Sequence, residues 1–328
     1  MVKPVVKVVD LKKYFPVRAS ILDIIRRKPK LYIRAVDGVT FDIYEKEIFC
    51  LAGESGCGKT TTGRTILRLI EPTSGKIFFK GDNILEYDDN KLKEFRKRAQ
   101  IIFQDPYESL NPRMTVFDII EEPLRIHKVG TKKERFEMVL KALEDVELTP
   151  PESFVHRRPH ELSGGQRQRV AIARALILNP EFIVADEPVS MLDMSIRAEI
   201  LNLMLKLREE HGLTYLFITH DLAVAKYICD RIGIMYLGKI VELGSVEEVI
   251  DNPYHPYTKA LISAVPTPDP RVKIGEIPIK GEVTSPINIP KGCRFYPRCV
   301  YAMKMCKREE PELIEVSKDH YVACHLYK

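Results

Sequence analysis
The sequence predicts an α/β fold built on a parallel sheet, with a loop-rich extension toward its C-terminal side. Three stretches carry that expectation. First, the apolar run Ile48 to Ala52 leads into Gly53-Glu54-Ser55-Gly56-Cys57-Gly58-Lys59-Thr60, and a helix is expected from there through Leu69. Second, Phe182-Ile183-Val184-Ala185 is an apolar strand that ends in adjacent carboxylates, Asp186 and Glu187. Third, ten of the 22 prolines lie beyond residue 251 and four of the seven cysteines beyond residue 292, which marks loops rather than more sheet.

A chain of 328 residues can bury a full core and is long enough for one large domain plus an addition. Its 51 basic and 46 acidic residues leave a net charge of +5, too balanced to indicate a nucleic-acid partner by itself. Residues 1 to 13 have lysines interspersed and lack an apolar core of signal-peptide length, so secretion is not expected. Nowhere is there an apolar run long enough to cross a bilayer, which makes any membrane role peripheral. The cysteines do not look like a secreted disulfide framework in a chain this long, and a reducing cytosol is expected.

In chain order, Val5 to Val9 reads as a strand of β-branched residues and Leu11 to Pro16 as the turn leaving it. The aromatics of that turn, Tyr14 and Phe15, read equally as edge-of-core residues or as a stacking surface for a nucleotide base. Residues 17 to 34 form a basic insertion without an assigned role. Ala35 to Ile43 and Ile48 to Ala52 are strands separated by a charged turn. Past the first helix, Pro72 to Gly75 is a turn, Lys76 to Lys80 a strand and Lys91 to Arg98 a polar helix. A further strand ends at Gln104-Asp105-Pro106. From Thr115 to Val146 apolar residues recur at three- and four-residue spacing, with breaks expected at Pro123 and Gly130, which predicts an inserted helical segment. Ser190-Met191-Leu192-Asp193 precedes an amphipathic helix whose stripe of Ile196, Ile200, Leu203, Met204 and Leu207 reads as core. The strand Thr214 to Thr219 ends at His220-Asp221.

The chemistry follows from where these elements end. Two glycines with four residues between them, followed by Lys-Thr, let the backbone curl so that successive N–H groups and a helix N-terminus face one anion. Lys59 then reaches the β- and γ-phosphates of a nucleotide, and the Thr60 hydroxyl ligates Mg²⁺. Leu162-Ser163-Gly164-Gly165-Gln166 opens another helix, with Ser163 at the N-cap, and is a second helix start built to receive an anion. Asp186 holds Mg²⁺ through water, and Glu187 orients or deprotonates the hydrolytic water. Gln104 alone reads as a solvated loop glutamine; beside the other motifs it can contact the attacking water or Mg²⁺. His220 falls at the strand edge where ligands of parallel sheets bind, and reads as a γ-phosphate contact.

Taken together, the phosphate loop, Gln104, Leu162 to Gln166, Asp186-Glu187, Ser190 to Asp193 and His220 resemble the nucleotide-binding subunit of ATP-binding cassette (ABC) transporters, over residues 1 to about 250. Phe103 to Tyr107, Ser109 to Arg113, Asp186 to Ser190 and Pro253 to Thr258 resemble the ATPases of dipeptide and oligopeptide importers, and Tyr14-Phe15-Pro16 with Gly63-Arg64 their F-type subunit. The resemblance implies a P-loop NTPase fold: a RecA-like core, an antiparallel β subdomain and an inserted helical subdomain at about 105–176, together spanning 1–250. Residues 251–328 then form the small cysteine-containing extension. It implies a head-to-tail dimer in which the phosphate loop of one cassette faces the Ser163-Gly164-Gly165 loop of the other across ATP.

Phe15 is implied as the adenine-stacking aromatic, with Tyr14 as fallback. Gly53, Glu54, Ser55, Gly56, Cys57, Gly58, Lys59, Thr60 and Thr61 contact nucleotide, as do Ser163, Gly164, Gly165 and Gln166 from the facing subunit. Gln104 becomes the sensor between nucleotide and permease, Glu187 the general base and His220 the γ-phosphate partner, with Mg²⁺ on Thr60, Gln104 and Asp186. Met191 departs from the family's usual alanine at a position lining the subunit contact.

The tail carries Cys293-x5-Cys299-x6-Cys306-x17-Cys324. Four thiolates in a loop-rich segment too small for its own core suggest a metal staple. Zinc prefers tighter paired spacings, whereas iron and sulfur accept irregular ones when the fold gathers the thiolates. This tail also resembles the C-terminal region of peptide-importer ATPases, some of which carry a [4Fe–4S] cluster. That cluster is expected, with zinc and then free thiols as alternatives. The acid-free basic run Lys291 to Arg308 reads as charge balance for a cluster or as a solvated face.

The resemblance implies an ATPase working at the cytoplasmic face of a membrane. Its expected partners are a second, different cassette subunit, two permease subunits and an extracytoplasmic solute-binding protein. Other cargo such as nickel or an oligosaccharide is the nearer alternative. A soluble cassette ATPase acting on nucleic acid or ribosomes is the other class, but neither a second cassette nor a long coiled-coil insert is present to favour it, and no nucleic acid is expected. A cassette that binds ATP without hydrolysing it is disfavoured by Glu187 and His220.

Overall fold
A computed structural model describes residues 3–17, 31–264, 279–281, 286–287 and 289–328. In chain order the strands and helices are β1 (Val6–Pro16), β2 (Tyr32–Ile43), β3 (Ile48–Ala52), α1 (Lys59–Ile66), β4 (Ser74–Phe79), β5 (Asp82–Asn83), α2 (Asp89–Arg98), β6 (Ala99–Ile102) and α3 (Pro106–Ser109). There follow α4 (Val116–Ile126), α5 (Lys132–Asp145), α6 (Gly164–Leu176), β7 (Phe182–Asp186), α7 (Met194–His211), β8 (Thr214–Thr219) and α8 (Leu222–Ile228). The remainder is β9 (Arg231–Tyr236), β10 (Lys239–Ser245), α9 (Val246–Asp251), α10 (Pro256–Ser263), β11 (Ile314–Ser317) and β12 (His320–Val322). The chain divides into two compact units, one of residues 1–5, 43–48 and 86–218, the other of 6–42, 49–85 and 219–328.

In the first unit β6, β7 and β8 run parallel, Ala99 paired with Phe182 and Phe182 with Thr214. All of β7 and β8 is buried, as parallel strands covered on both faces must be. Helices α4, α5 and α6 pack on one another as the expected helical segment. Pro123 does not break it; it lies inside α4. The helix starts at a capping box between Thr115 and Asp118 and buries Val116, Ile119, Ile120 and Leu124. At about 1.5–3 kcal/mol per buried aliphatic side chain, that face outweighs the roughly 3 kcal/mol cost of a proline in a helix interior. The helix ends at Ile126, capped at His127, and Gly130 (φ +64°) falls in the link before α5 rather than at the stop itself.

The second unit holds an antiparallel sheet, β2-β1-β4-β5, and a run of strands in the order β3-β9-β10-β12-β11. Stacked rings of Phe41 and Phe49, 4.8 Å apart, join β2 to β3. Two expectations fail here for the same kind of reason. Leu11 to Pro16 is no turn: β1 runs through Pro16, its register with β4 shifting between Val9 and Lys12 where Asp10 takes a φ of +47°. A bulge of this kind bends a strand and lets its pairing continue. The tail is also more than loops, since β11 and β12 form a hairpin and β12 pairs with β10 through Glu242–Val322 and Leu243–Tyr321. A segment too small to bury its own core gains burial by docking on an open sheet edge, and Val322 is fully buried there. Helix α1 ends at Ile66, three residues before the expected Leu69. Most of the basic insertion, residues 18–30, lies outside the described residues.

Candidate nucleotide and cysteine sites
In the second unit the buried strand β3 delivers the chain to Gly53, and the loop turns through positive φ at Gly53 (+145°), Gly56 (+77°) and Gly58 (+108°) into α1. Side chains could not replace two of these glycines. A Cβ at Gly53 would lie 2.3 Å from the Met235 carbonyl oxygen, and one at Gly58 2.0 Å from that of Ala35. Lys59 is buried, and its Nζ donates to the carbonyls of Gly53 (2.7 Å) and Glu54 (3.0 Å), curling back across the loop it follows. Cys57 is buried beneath, and that burial pushes its thiol pKa up.

The two candidate base-stacking aromatics separate. The Tyr14 hydroxyl donates to Asp37, whose other oxygen accepts from Arg294. Burial first, and then the hydrogen bond to Asp37, pushes Tyr14 up to about 12. Burial alone would raise Asp37, but the bonds from Tyr14 and Arg294 outweigh it and hold the carboxyl below its usual range. Tyr14 is thereby committed to Asp37. Phe15 is half-buried, and the Lys13 Nζ lies 5.0 Å from its ring centroid. His220 lies exposed just past the end of β8.

In the first unit, the neighbouring strands β6 and β7 bring Gln104 and Glu187 together: Gln104 Nε2 donates to Glu187 Oε2 at 2.9 Å. Glu187 has a φ of +47°, a strained value for a non-glycine residue costing on the order of 1–3 kcal/mol. Its N–H donates to Ile218 O (3.0 Å), and its carbonyl accepts from the Ser190 N–H (3.2 Å) and hydroxyl (3.0 Å). Asp186, one residue earlier, is 1% exposed. Ser163 and Gln166 form a capping box on α6, Ser163 N–H donating to Gln166 Oε1 (3.0 Å) and Gln166 N–H to Ser163 Oγ (3.3 Å). A Cβ on Gly165 would meet Ile196 at 2.7 Å, so the loop's second glycine is a packing requirement. Met191 is 60% exposed.

Sequence reasoning missed the groups that hold Glu54. Its N–H donates to the Tyr257 hydroxyl (2.9 Å), and its carboxylate accepts from Arg298. Tyr257 lies within the Pro253 to Thr258 run, but no pattern in it announced a contact with the phosphate loop.

In the tail, Cys293, Cys299, Cys306 and Cys324 line one small pocket with His255, Phe295, Tyr296 and His325. None of the four is in a disulfide, and Cys293 N–H donates to Cys306 O at 2.8 Å. Burial pushes Cys293 up to about 12 and Cys324 up to about 11, and raises Cys299. Among the described residues no group of three or more His, Cys, Asp or Glu side chains is placed to hold a metal ion.

A glycine-rich phosphate loop opening a helix, with an apolar strand that ends in Asp-Glu, defines a P-loop nucleotide-hydrolysing protein. Residues 36–190 match the family model described as ABC transporter, and residues 241–306 the one described as oligopeptide/dipeptide transporter, C-terminal region. The oligopeptide transport ATP-binding protein AppF of Bacillus subtilis (strain 168) is 53% identical over 97% of this chain and 96% of its own. The dipeptide transport ATP-binding protein DppF of Haemophilus influenzae is 47% identical over 98% and 96%. Among solved structures, the post-hydrolysis dimer of the ATP-binding cassette MJ0796 bound to ADP and phosphate superposes with a TM-score of 0.63 at 33% identity, covering 74% of this chain and 98% of that one. The chain belongs to the ABC transporter ATP-binding proteins of the oligopeptide/dipeptide group. No helix among its described residues is long and apolar enough to cross a membrane.

Proposed function
We propose that this chain is the ATP-hydrolysing subunit of a peptide importer, pairing with a second, different cassette subunit on the cytoplasmic face of two permease subunits that an extracytoplasmic binding protein supplies. The observation that carries the hydrolytic reading is the Glu187 carboxylate, held by the Gln104 amide at the end of β7. The peptide reading rests on near-full-length similarity to AppF and DppF, whose names specify oligopeptide and dipeptide transport. We retain 1–250 as the cassette, with its helical part at about 105–176, and 251–328 as the extension.

In this reading the loop N–H groups and Lys59 bind the β- and γ-phosphates, and the Lys59 ammonium exchanges loop carbonyls for phosphate oxygens. Phe15 offers its ring to the adenine. Glu187 takes the proton from the attacking water, Gln104 orienting the carboxylate until nucleotide engages it, and His220 contacts the γ-phosphate. Thr60, Gln104 and Asp186 would hold Mg²⁺, which when bound neutralises charge on the phosphate oxygens. Ser163, Gly164, Gly165 and Gln166 serve the partner's nucleotide across a head-to-tail dimer. The four tail cysteines form the donor set we assign to a [4Fe–4S] cluster of structural role, ahead of zinc. Cysteine binds metal as thiolate, so loading displaces protons.

The test is Glu187→Gln in the assembled transporter. ATP binding should persist while phosphate release and peptide uptake fall by at least about 10²-fold, the scale of a lost general base. Normal phosphate release would remove Glu187 from the mechanism, and ATP turnover without peptide uptake would remove the cargo.

A further inference from the structure
Glu54, the second residue of the phosphate loop, has each of its polar groups pinned. Its carbonyl accepts from Lys59 at 3.0 Å, within the loop itself. Its other two partners come from far along the chain. The N–H donates to the Tyr257 hydroxyl at 2.9 Å. The carboxylate is gripped by both ends of one guanidinium: Arg298 Nη1 to Oε2 at 2.8 Å and Nη2 to Oε1 at 2.9 Å. Such a two-pronged pair fixes orientation as well as charge.

Arg298 is itself built in. It is 6% exposed, its N–H donates to Phe295 O (2.9 Å), and its carbonyl accepts from Lys280 N–H (2.9 Å). The guanidinium lies 5.8 and 5.9 Å from the ring centroids of Tyr236 and Phe295, and the Tyr257 ring packs on the same two. The hydrogen bonds to Glu54 chiefly account for the further rise of an already high Arg298 pKa, so the charge is permanent.

A loop whose N–H groups must receive a polyanion carries a carboxylate at its second position. Left unpaired, that charge would repel phosphate and could swing into the loop. We propose that Arg298, with Tyr257, is a positioning group for nucleotide binding: the C-terminal extension cancels the Glu54 charge and fixes the loop's first peptide so that its N–H groups stay open to phosphate. This rests on the reading of Gly53–Thr60 as the nucleotide site. Arg298 never touches the nucleotide; it acts through Glu54. Cys299 is the next residue, so the extension's own packing and the loop's readiness share one short segment.

The experiment titrates Mg·ATP against the full chain and measures KM and kcat in the assembled transporter. Arg298→Gln should weaken ATP binding and raise KM about tenfold, the worth of a charge-assisted hydrogen-bonded pair, with kcat little changed. Adding Glu54→Gln to it should restore affinity, because no uncancelled carboxylate remains. An anchor for the extension alone predicts a lower melting temperature and no such rescue. If Arg298→Gln does not fold, Tyr257→Phe keeps the ring, loses only the acceptor, and should shift ATP affinity the same way. Unchanged affinity in whichever single variant folds, or a double variant as weak as Arg298→Gln, overturns the proposal. Lys59→Ala separates the two readings: wild-type ATP binding in that variant would sink the nucleotide site itself, whatever Arg298 does.

Discussion

Asp37 shows how one carboxylate organises a corner of this protein. It receives the Tyr14 hydroxyl and the buried Arg294 guanidinium, and Arg34 lies 3.6 Å away. Burial pushes its pKa up, but those donors outweigh burial and depress it below 3.8. A depressed acid contributes stability that is fully present above its unfolded pKa and is lost as pH falls through its folded one. Asp37→Asn should therefore lower the melting temperature at pH 7, and the gap from wild type should narrow at pH values below about 3.8. Thermal melts at pH 7 and pH 3 check this; a gap that widens in acid would contradict it. At this scale the sequence was uneven. The placement of Lys59 at the start of a helix after a glycine turn, and of Asp186 and Glu187 at the end of an apolar strand, was legible because local pattern sets both. Arg294, Arg298, Asp37 and Tyr257 were not, because each meets its partner across a long chain separation that no local spacing encodes.

At the scale of elements, the start of α6 does two jobs with one set of atoms. Ser163 and Gln166 satisfy each other's backbone N–H groups, and Gly165 admits Ile196 where a side chain would clash. Ser163→Ala should cost about 1 kcal/mol in urea unfolding, as the loss of a helix cap does. If the same loop serves a partner's nucleotide, ATPase activity should fall by far more than that loss of stability explains; an ATPase loss of only a few-fold would assign Ser163 to capping alone. The buried strands β3, β7 and β8 were readable from their apolar runs. The bulge at Asp10 and the proline inside α4 were not, since both depend on what the neighbouring elements bury rather than on local propensity. The tail hairpin was hidden for a similar reason: proline density masked short strands whose stability comes from the β10 edge they join.

At the scale of the whole molecule, the extension reaches the phosphate loop through Arg298 and Tyr257. The four thiols share one pocket, and Arg294 and Arg298 stand beside two of them in sequence. Changing Cys293 and Cys299 to serine should abolish brown absorbance near roughly 400 nm in anaerobically prepared protein. A colourless wild type containing zinc would overturn the iron assignment.

The hairpin on β10 has a consequence for biosynthesis. One compact unit draws on residues 6–42, 49–85 and 219–328, and β10 finds its outer neighbour only in residues 320–322. Until those residues leave the ribosome, the nascent chain carries a bare strand edge that can recruit another chain. Pairing of this edge therefore waits until β12 has been made, well after β10 itself.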